Sequence, residues 1–259
     1  MMQYDFDPVY VRDRMVAELR HYAKEQGFSR VVLGISGGKD STVTAALLVR
    51  ALGKENVYGV LMPDGEQKDL DDSFRVCQIL DIPHIQFNIQ HLHSGLLQMI
   101  SHSLNADAFG VHYSKIADIN VAPRLRMTAL RYITQMLGAR LAGTGNLSEA
   151  TVGYCTKDGD TSCDFSVLGA LTSVEVVQVG LAMEELPREL VLKTPADGLC
   201  GMSDEENLGV SYEDIHHFVR KDQSVDEEVH RKIQALHDQS SHKRYAPHIV
   251  YDPMNTWSF

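Results

Sequence analysis

An octet of small and polar residues, Gly34 to Ser41, constrains the fold more than any other feature of this sequence. Its first two residues are also the last two of the apolar run Arg30 to Ile35, whose β-branched residues are typical of a buried parallel strand. The next residues, Ser41 to Leu52, have a helical pattern that ends at Gly53. A glycine-rich turn between a strand and a helix directs backbone amides and the positive end of the helix dipole at one point. The octet is therefore predicted to bind an anion such as a phosphate.

The alternation of strand and helix continues along the first half of the chain, and the second half is predominantly helical. This order predicts an α/β fold in which helices cover both faces of a parallel sheet, followed by a helical C-terminal part. No repeat or linker interrupts the pattern, so residues 1–259 are expected to form a single domain. Strands are predicted over 30–35, 57–62, 84–89 and 140–142, and helices over 8–26, 41–52, 70–80, 92–104, 125–137, 168–183, 212–220 and 225–239.

The amino-acid composition of the chain argues against nucleic acid and membranes as binding partners. There are 35 acidic and 24 basic residues, and the resulting charge of -11 argues against long-range attraction to nucleic acid. No apolar run approaches the ~20 residues of a membrane span, and the first residues lack a signal-peptide pattern, so no membrane association and a cytoplasmic location are expected. The four cysteines form no CxxC pair and the histidines have no zinc-site spacing, so none of them is assigned to a metal.

The octet differs from the phosphate loop of kinases and GTPases. That loop has the pattern GxxxxGK[ST], whereas here Asp40 separates Lys39 from Ser41 and the glycines are closer together. The octet resembles instead the SGGxDS loop of the N-type ATP pyrophosphatases, which hold the pyrophosphate part of ATP and cleave between the α and β phosphates. In that setting Asp40 would be a magnesium ligand, because a hard cation beside phosphates requires carboxylate oxygen.

Later segments distinguish among the enzymes that share this loop, which include GMP, argininosuccinate and asparagine synthetases and tRNA-thiolating enzymes. Five segments occur in the order found in NAD synthetases, and the sequence resembles that family over most of its length. The resemblance implies a Rossmann-like sheet of the adenine nucleotide alpha hydrolase type. The segments are Asn120 to Met127, Gly143 to Glu149, Gly153 to Asp164, Asp204 to Ile215 and Ser241 to Pro247.

The resemblance implies an ammonia-dependent NAD synthetase activity, in which ATP and Mg2+ support the amidation of deamido-NAD. In the family, the nicotinate carboxylate attacks the α-phosphorus of ATP to give an acyl adenylate and pyrophosphate, and ammonia then displaces AMP. Positioning and charge neutralisation supply most of the catalysis. Glutamine-using members carry an additional nitrilase-like domain with a catalytic cysteine, for which this chain has no room, so free ammonia is the expected nitrogen donor.

The family pattern also implies roles for individual residues. Asp40 and Glu149 would be catalytic and would bind magnesium, although Glu149 can also be explained as an acid in the first turn of a helix. The family is a homodimer, in which the residue matching Arg124 reaches the site of the neighbouring subunit. ATP would be held by Gly34, Ile35, Ser36, Gly37, Gly38, Lys39, Asp40, Ser41, Gln67 and Thr144, and deamido-NAD by Arg124, Lys157, Asp164, His242 and Lys243.

Two positions depart from the family pattern. Ser173 stands where an L-x-K segment usually carries an ATP-contacting lysine, and Ala196 stands where P-[ST]-A supplies a hydroxyl. One positive charge and one hydroxyl toward ATP are therefore absent from their usual places. Two other interpretations stay open, namely another amidating or thiolating ligase with the same loop, and a non-catalytic nucleotide-binding or sensing module.

Overall fold

A five-stranded parallel sheet forms the centre of the computed structural model, which describes residues 6–67, 69–104, 110, 114–193, 203–221 and 225–244. The strand order is β3-β2-β1-β4-β5. Because β1 and β4 are neighbours but are not consecutive in the chain, the sheet has a switch point between them, where α/β proteins bind ligands at the carboxyl ends of the strands. The strands are β1 (Val31–Gly34), β2 (Val57–Leu61), β3 (His84–Gln86), β4 (Arg140–Gly143) and β5 (Phe165–Ser166).

The helices in the described ranges cover both faces of the sheet and make up most of the second half. They are α1 (Pro8–Glu25), α2 (Lys39–Leu52), α3 (Leu70–Leu80), α4 (Gln90–Ser103), α5 (Lys115–Ile119), α6 (Val121–Leu137), α7 (Leu147–Val152), α8 (Ser173–Leu181), α9 (Arg188–Val191), α10 (Asp204–Leu208), α11 (Tyr212–Arg220) and α12 (Glu227–Gln239), with 3-10 helices at Lys54–Asn56 and Ser241–Lys243. The predicted α/β architecture with a helical C-terminal part is confirmed.

Strand β1 separates two hydrophobic cores because successive side chains of a strand point to opposite faces. Val31 and Leu33 pack with α1, α2, α3, α8 and α9 on one face, whereas Val32 packs with α6 on the other. All three valine and leucine side chains are fully buried. A third core, centred on Ile215 and Ile233, joins α7, α11 and α12. The continuous apolar character of β1 therefore reflects burial on both of its faces.

The strand predicted over 84–89 ends at Gln86 and the helix predicted over 125–137 begins at Val121, but the largest difference lies at the start of α8. The helix expected over 168–183 begins only at Ser173, because Thr172 is its N-cap and accepts a hydrogen bond from the N–H of Glu175. The residues before that cap instead follow the short strand β5, which pairs with β4 and was predicted as loop. Helical periodicity extended across the cap because Leu168 and Leu171 are buried without being helical. Within the described part of the chain, every helix is too short or too polar to traverse a bilayer.

Candidate active site

The predicted anion loop lies where β1 ends and α2 begins, at the switch point of the sheet. Ser41 Oγ accepts a hydrogen bond from the N–H of Ser36 at 3.2 Å and donates one to the carbonyl oxygen of Gly38 at 3.1 Å. Gly38 is the N-cap of α2 and makes no side-chain cap. The first amides of α2 are thus left for an external acceptor, which is the arrangement that binds phosphate at a helix N-terminus.

Gly37 is the one residue of the loop whose backbone requires glycine. Its φ is +77°, a conformation that other residues rarely adopt. A Cβ atom at this position would lie 2.6 Å from the carbonyl oxygen of Asp69 and 3.0 Å from the nitrogen of Ser73. The loop therefore packs directly against the start of α3, with no space for a side chain between them.

Two carboxylates, Asp40 and Glu149, are joined through Asn146. Asn146 Nδ2 donates to Asp40 Oδ1 at 3.0 Å, and its main-chain N–H donates to Glu149 Oε2 at 2.9 Å. Asn146 Oδ1 in turn accepts from the N–H of Glu149 at 3.1 Å, which completes a capping box at the start of α7. The first turns of α2 and α7 thereby present their acids to the same space.

The electrostatics of this pair favour a cationic ligand. Burial and the neighbouring Asp40 carboxylate raise the pKa of Glu149 well above its usual range, whereas Lys39 acts in the opposite direction. Lys39 Nζ lies 2.6 Å from Asp40 Oδ2. A carboxylate that is costly to ionise next to a second acid is stabilised when a metal or ammonium ion lies between them.

A cavity of about 760 Å³ opens over these groups at the carboxyl ends of β1, β2 and β4. Most of the predicted ATP-binding and metal-binding residues line it, together with one residue of the predicted deamido-NAD set. These are Gly34, Ile35, Ser36, Gly38, Lys39, Asp40, Ser41, Gln67, Thr144, Glu149 and Lys243. Its volume lies within the usual range for small-molecule sites.

Other predicted residues lie outside the lining of this cavity: Gly37, Arg124, Lys157, Asp164 and His242. Arg124 Nε donates to the carbonyl oxygen of Lys157 at 3.2 Å, so these two cations are neighbours. Asp164 accepts a hydrogen bond from the N–H of Leu141 at 2.8 Å and forms an ion pair with Arg131. The structure therefore places most of the predicted ATP contacts in the cavity, and three of the predicted deamido-NAD contacts, Arg124, Lys157 and Asp164, outside its lining.

Three residues of the site are among those not assigned a role from the sequence; Asn146 bonds Asp40, whereas Arg126 and Lys193 line the cavity. Asn146 is one, and its spacing to Glu149 is the N-x-x-E form of a capping box, a signal that was available in the sequence. Arg126 is another: burial lowers its pKa, and its Nε donates to the carbonyl oxygen of Met62 at 3.0 Å. Lys193, the third, bonds Asp69 and Asp72 at 2.6 and 2.5 Å. Arg126 belongs to the family segment Asn120 to Met127, which was therefore a signal for it, whereas Lys193 lies in no such segment.

Of the two positions that depart from the family pattern, Ser173 and Ala196, only Ser173 lies in the described part of the chain. Ser173 is buried at the first position of α8, and its N–H donates to Ser148 Oγ at 3.0 Å. It serves to connect α8 with α7 and brings no charge to the cavity. Ala196 lies outside the described residues.

The fold, the anion loop and the paired acids agree with one family of known sequences. The model of the NAD synthase family matches residues 11–247. The chain belongs to the NAD synthase family. Among individual relatives, the NH3-dependent NAD(+) synthetase of Archaeoglobus fulgidus is 34% identical over 93% of this chain and 96% of its own. The Pyrococcus horikoshii enzyme of the same name is 31% identical over 91% of this chain and 93% of its own.

Solved structures of family members superpose on most of the chain. The NMN synthetase of Francisella tularensis has a TM-score of 0.85 and 28% identity, and covers 95% of this chain and 99% of its own. The NH3-dependent NAD synthetase of Campylobacter jejuni has a TM-score of 0.76 and 25% identity, and covers 95% of this chain and 100% of its own. The NAD synthase resemblance of the five sequence segments is thus confirmed.

Proposed function

We propose that this NAD synthase family member is an ammonia-dependent ligase that converts deamido-NAD to NAD, the last step of NAD biosynthesis. One observation carries the proposal: an anion-binding loop and two acids, Asp40 and Glu149, face a single cavity at the switch point of the sheet. The curated relatives that match almost the whole chain are NH3-dependent NAD(+) synthetases. A loop that can bind pyrophosphate, next to two acids that can bind a cation, is suited to the activation of a carboxylate by ATP.

The chemistry requires activation because a carboxylate has no leaving group. Its oxygen attacks the α-phosphorus of ATP, the bond to the β-phosphate oxygen breaks, and pyrophosphate leaves with an acyl adenylate as the other product. Ammonia then attacks the carbonyl carbon, loses a proton and displaces AMP, leaving the amide. The amides and hydroxyls of Ser36 to Ser41 would hold the pyrophosphate during the first step, and Gln67 and Thr144 would contact the rest of ATP.

Magnesium fits the acid pair. Asp40 and Glu149 both line the cavity, and their mutual repulsion is one cause of the raised pKa of Glu149, which a divalent ion would relieve. The described residues contain no preformed cluster of three acidic, histidine or cysteine ligands, so phosphate oxygens of the nucleotide would complete the coordination. When bound, the ion would neutralise charge on the phosphates.

We further propose a homodimer in which both subunits contribute to the deamido-NAD site. Helix α4 has no buried residue, and its apolar side chains at Leu92, Leu96 and Met99 recur at helical spacing. Helix α6, which contacts α4, also carries exposed apolar side chains at Tyr132 and Met136. An exposed apolar face of this kind is typical of a protein interface. Arg124, near the start of α6, would reach the site of the neighbouring subunit.

The five residues of the proposed deamido-NAD site are Arg124, Lys157, Asp164, His242 and Lys243. Cationic groups are suited to the two phosphates of a dinucleotide. Free ammonia would be the nitrogen donor, residues 1–259 would work as one synthetase domain, and the reaction would take place in the cytoplasm.

A second candidate substrate is the mononucleotide of nicotinic acid, which carries the same carboxylate on a smaller molecule. The structural similarity to the Francisella tularensis NMN synthetase favours it. The pairing of Asp164 with Arg131 also favours it, because that pair leaves Asp164 less available to a second nucleotide half. The reaction and the machinery would otherwise be the same.

Purified protein incubated with ATP, Mg2+ and ammonium, and with each of the two carboxylate substrates separately, tests the function. We expect NAD, AMP and pyrophosphate from deamido-NAD, with a higher kcat/KM than for the mononucleotide. The reverse ratio would assign the second candidate. Formation of ADP would exclude this cleavage site, and binding of ATP without turnover of either substrate would indicate a nucleotide-sensing module. Product formation with glutamine in place of ammonium would contradict the proposed nitrogen source.

A further inference from the structure

Lys39 lies in a place that two physical effects oppose. It is the first residue of α2, where the helix dipole disfavours a cation, and it is only 4% exposed, so that its ammonium group has lost most of its hydration. Its compensation comes from Asp40 Oδ2 at 2.6 Å and from the ring of Tyr212, whose centre lies 5.4 Å from Nζ. Because both burial and the helix dipole disfavour a cation at this position, the presence of Lys39 there calls for a functional explanation.

Asp40 has both carboxylate oxygens engaged by its own chain. Oδ2 pairs with Lys39, and Oδ1 accepts from Asn146 Nδ2 at 3.0 Å. A divalent ion would require a carboxylate oxygen at about 2.1 Å, and an ammonium group on that oxygen would repel it strongly at this depth. Metal can therefore use Oδ2 only after the Lys39 ammonium has moved.

We infer that Lys39 is the internal counter-ion of Asp40 in the free protein. When a divalent ion binds Asp40, the Lys39 ammonium group moves away and pairs with the phosphates of ATP. The inference rests on the magnesium site proposed above. Metal and nucleotide are then coupled, because the metal needs Lys39 displaced and the phosphates stabilise the displaced ammonium. The same cation offsets the charge that Ser173 does not supply.

The test measures Mn2+ binding to the full chain in the absence of nucleotide, by titration calorimetry or by electron paramagnetic resonance. Lys39→Met should bind Mn2+ about tenfold or more tightly than the unmodified protein, because the competing charge is removed. The same variant should bind pyrophosphate more weakly in the presence of EDTA. Opposite changes in these two affinities are not expected from general damage to the fold.

Two variants serve as controls. Lys54→Met removes a solvent-exposed lysine that is paired with Asp81 outside the cavity lining, and should leave Mn2+ affinity within about twofold, because surface charges are screened over about 10 Å. Lys39→Arg retains the cation and should retain the weak Mn2+ binding of the unmodified protein. If thermal unfolding shows that Lys39→Met is not folded, Lys39→Gln replaces it, because this variant also removes the positive charge but keeps a polar side chain.

The outcomes separate this inference from the metal site on which it rests. Asp40→Asn should abolish the tight Mn2+ binding of Lys39→Met in the double variant. If Asp40→Asn weakens Mn2+ binding but Lys39→Met does not strengthen it, the role of Lys39 is wrong and the metal site stands. If Asp40→Asn has no effect on Mn2+ binding in the Lys39→Met background, both are overturned. A gain in Lys54→Met equal to that in Lys39→Met would also overturn the inference, since it would reflect net charge alone.

Discussion

Asn146 Nδ2 donates a hydrogen bond to Oδ1 of Asp40 at 3.0 Å, although 106 positions separate the two residues in the chain. The same side chain accepts from the N–H of Glu149 through Oδ1. One amide thus sets the position of one acid and caps the helix that carries the other. This contact makes the geometry of the acid pair depend on how β1 and β4 are placed next to each other.

Substitution of Asn146 should separate its two roles. Asn146→Ser keeps an uncharged oxygen that can cap α7 but loses the Nδ2 donor, so we expect near-normal stability and a decrease in kcat/KM of about 10- to 100-fold. Asn146→Ala should show the same kinetic loss and, in addition, a decrease of about 1 kcal/mol in the free energy of unfolding. Steady-state kinetics and urea unfolding measure the two effects.

The cap of α1 provides a control for Asn146. Asp7 accepts from the N–H groups of Val9 and Tyr10 at 2.9 and 3.2 Å, far from the cavity lining. Asp7→Ala should lower the free energy of unfolding by about 1 kcal/mol and leave kcat/KM unchanged. A normal kcat/KM in Asn146→Ser would show that alignment of Asp40 by Asn146 is not needed.

Gly37→Ala should destabilise the protein more than an equivalent change at Gly27. Both glycines have positive φ, at +77° and +66°, but a Cβ at Gly27 meets nothing within 4 Å, whereas one at Gly37 would contact Asp69 and Ser73. The backbone term alone costs about 1 kcal/mol, and the clash at Gly37 should add about 1–3 kcal/mol more. Equal losses in urea unfolding would mean that α3 moves away from the loop freely.

Arg220→Met should be strongly destabilising. Glu175 is 0% exposed, and Arg220 Nε donates to its Oε1 at 2.7 Å, which joins α11 to α8. Removal of the guanidinium leaves a buried carboxylate without its main counter-ion, which costs about 3–5 kcal/mol. Arg75→Met, which breaks the solvent-exposed pair with Glu189, should cost less than about 1 kcal/mol. Chemical unfolding of both variants would show whether burial determines the difference.

Met99→Glu should dissociate the proposed homodimer. Met99 is 68% exposed on the apolar face of α4, and a charge in the centre of such a face would remain without a partner in the interface. Sedimentation analysis should give a monomer, with loss of deamido-NAD use and retention of ATP binding. Tyr10→Glu, at an equally exposed apolar position on α1, should sediment like the unmodified protein. A monomeric unmodified protein would contradict the proposed dimer.

Stability should decrease in mild acid partly because of His216. Burial lowers the pKa of this side chain below its ordinary value of 6.5, and its Nδ1 lies 2.8 Å from Thr172 Oγ1. The unfolded chain therefore binds a proton more readily than the folded one, and the free energy of unfolding falls as the pH drops below about 6.5. His216→Gln should have a shallower pH dependence below that value in urea unfolding. An identical slope would assign the acid sensitivity to other groups.

Much of the site was predictable because it is encoded locally. The octet Gly34 to Ser41 defines a strand, a turn and a helix start in consecutive residues, and its anion-binding geometry follows from backbone chemistry alone. The position of Glu149 in a capping box is likewise a pattern of four residues. By contrast, strand β5 has only two residues, which is too few for a periodic pattern. It is a strand because it pairs with β4, and that pairing cannot be read from the local sequence.

Local patterns in the sequence were enough to predict the parallel α/β fold, the anion loop and the family, because hydrophobic periodicity and short motifs carry that information within a few consecutive residues. Three contacts became evident only in the folded chain: Asn146 bonds Asp40, Lys39 is buried against the same acid, and Asp164 pairs with Arg131. Each of these contacts joins side chains whose distance depends on strand order, helix packing or rotamer. No local pattern specifies those quantities, since they result from the packing of the whole chain.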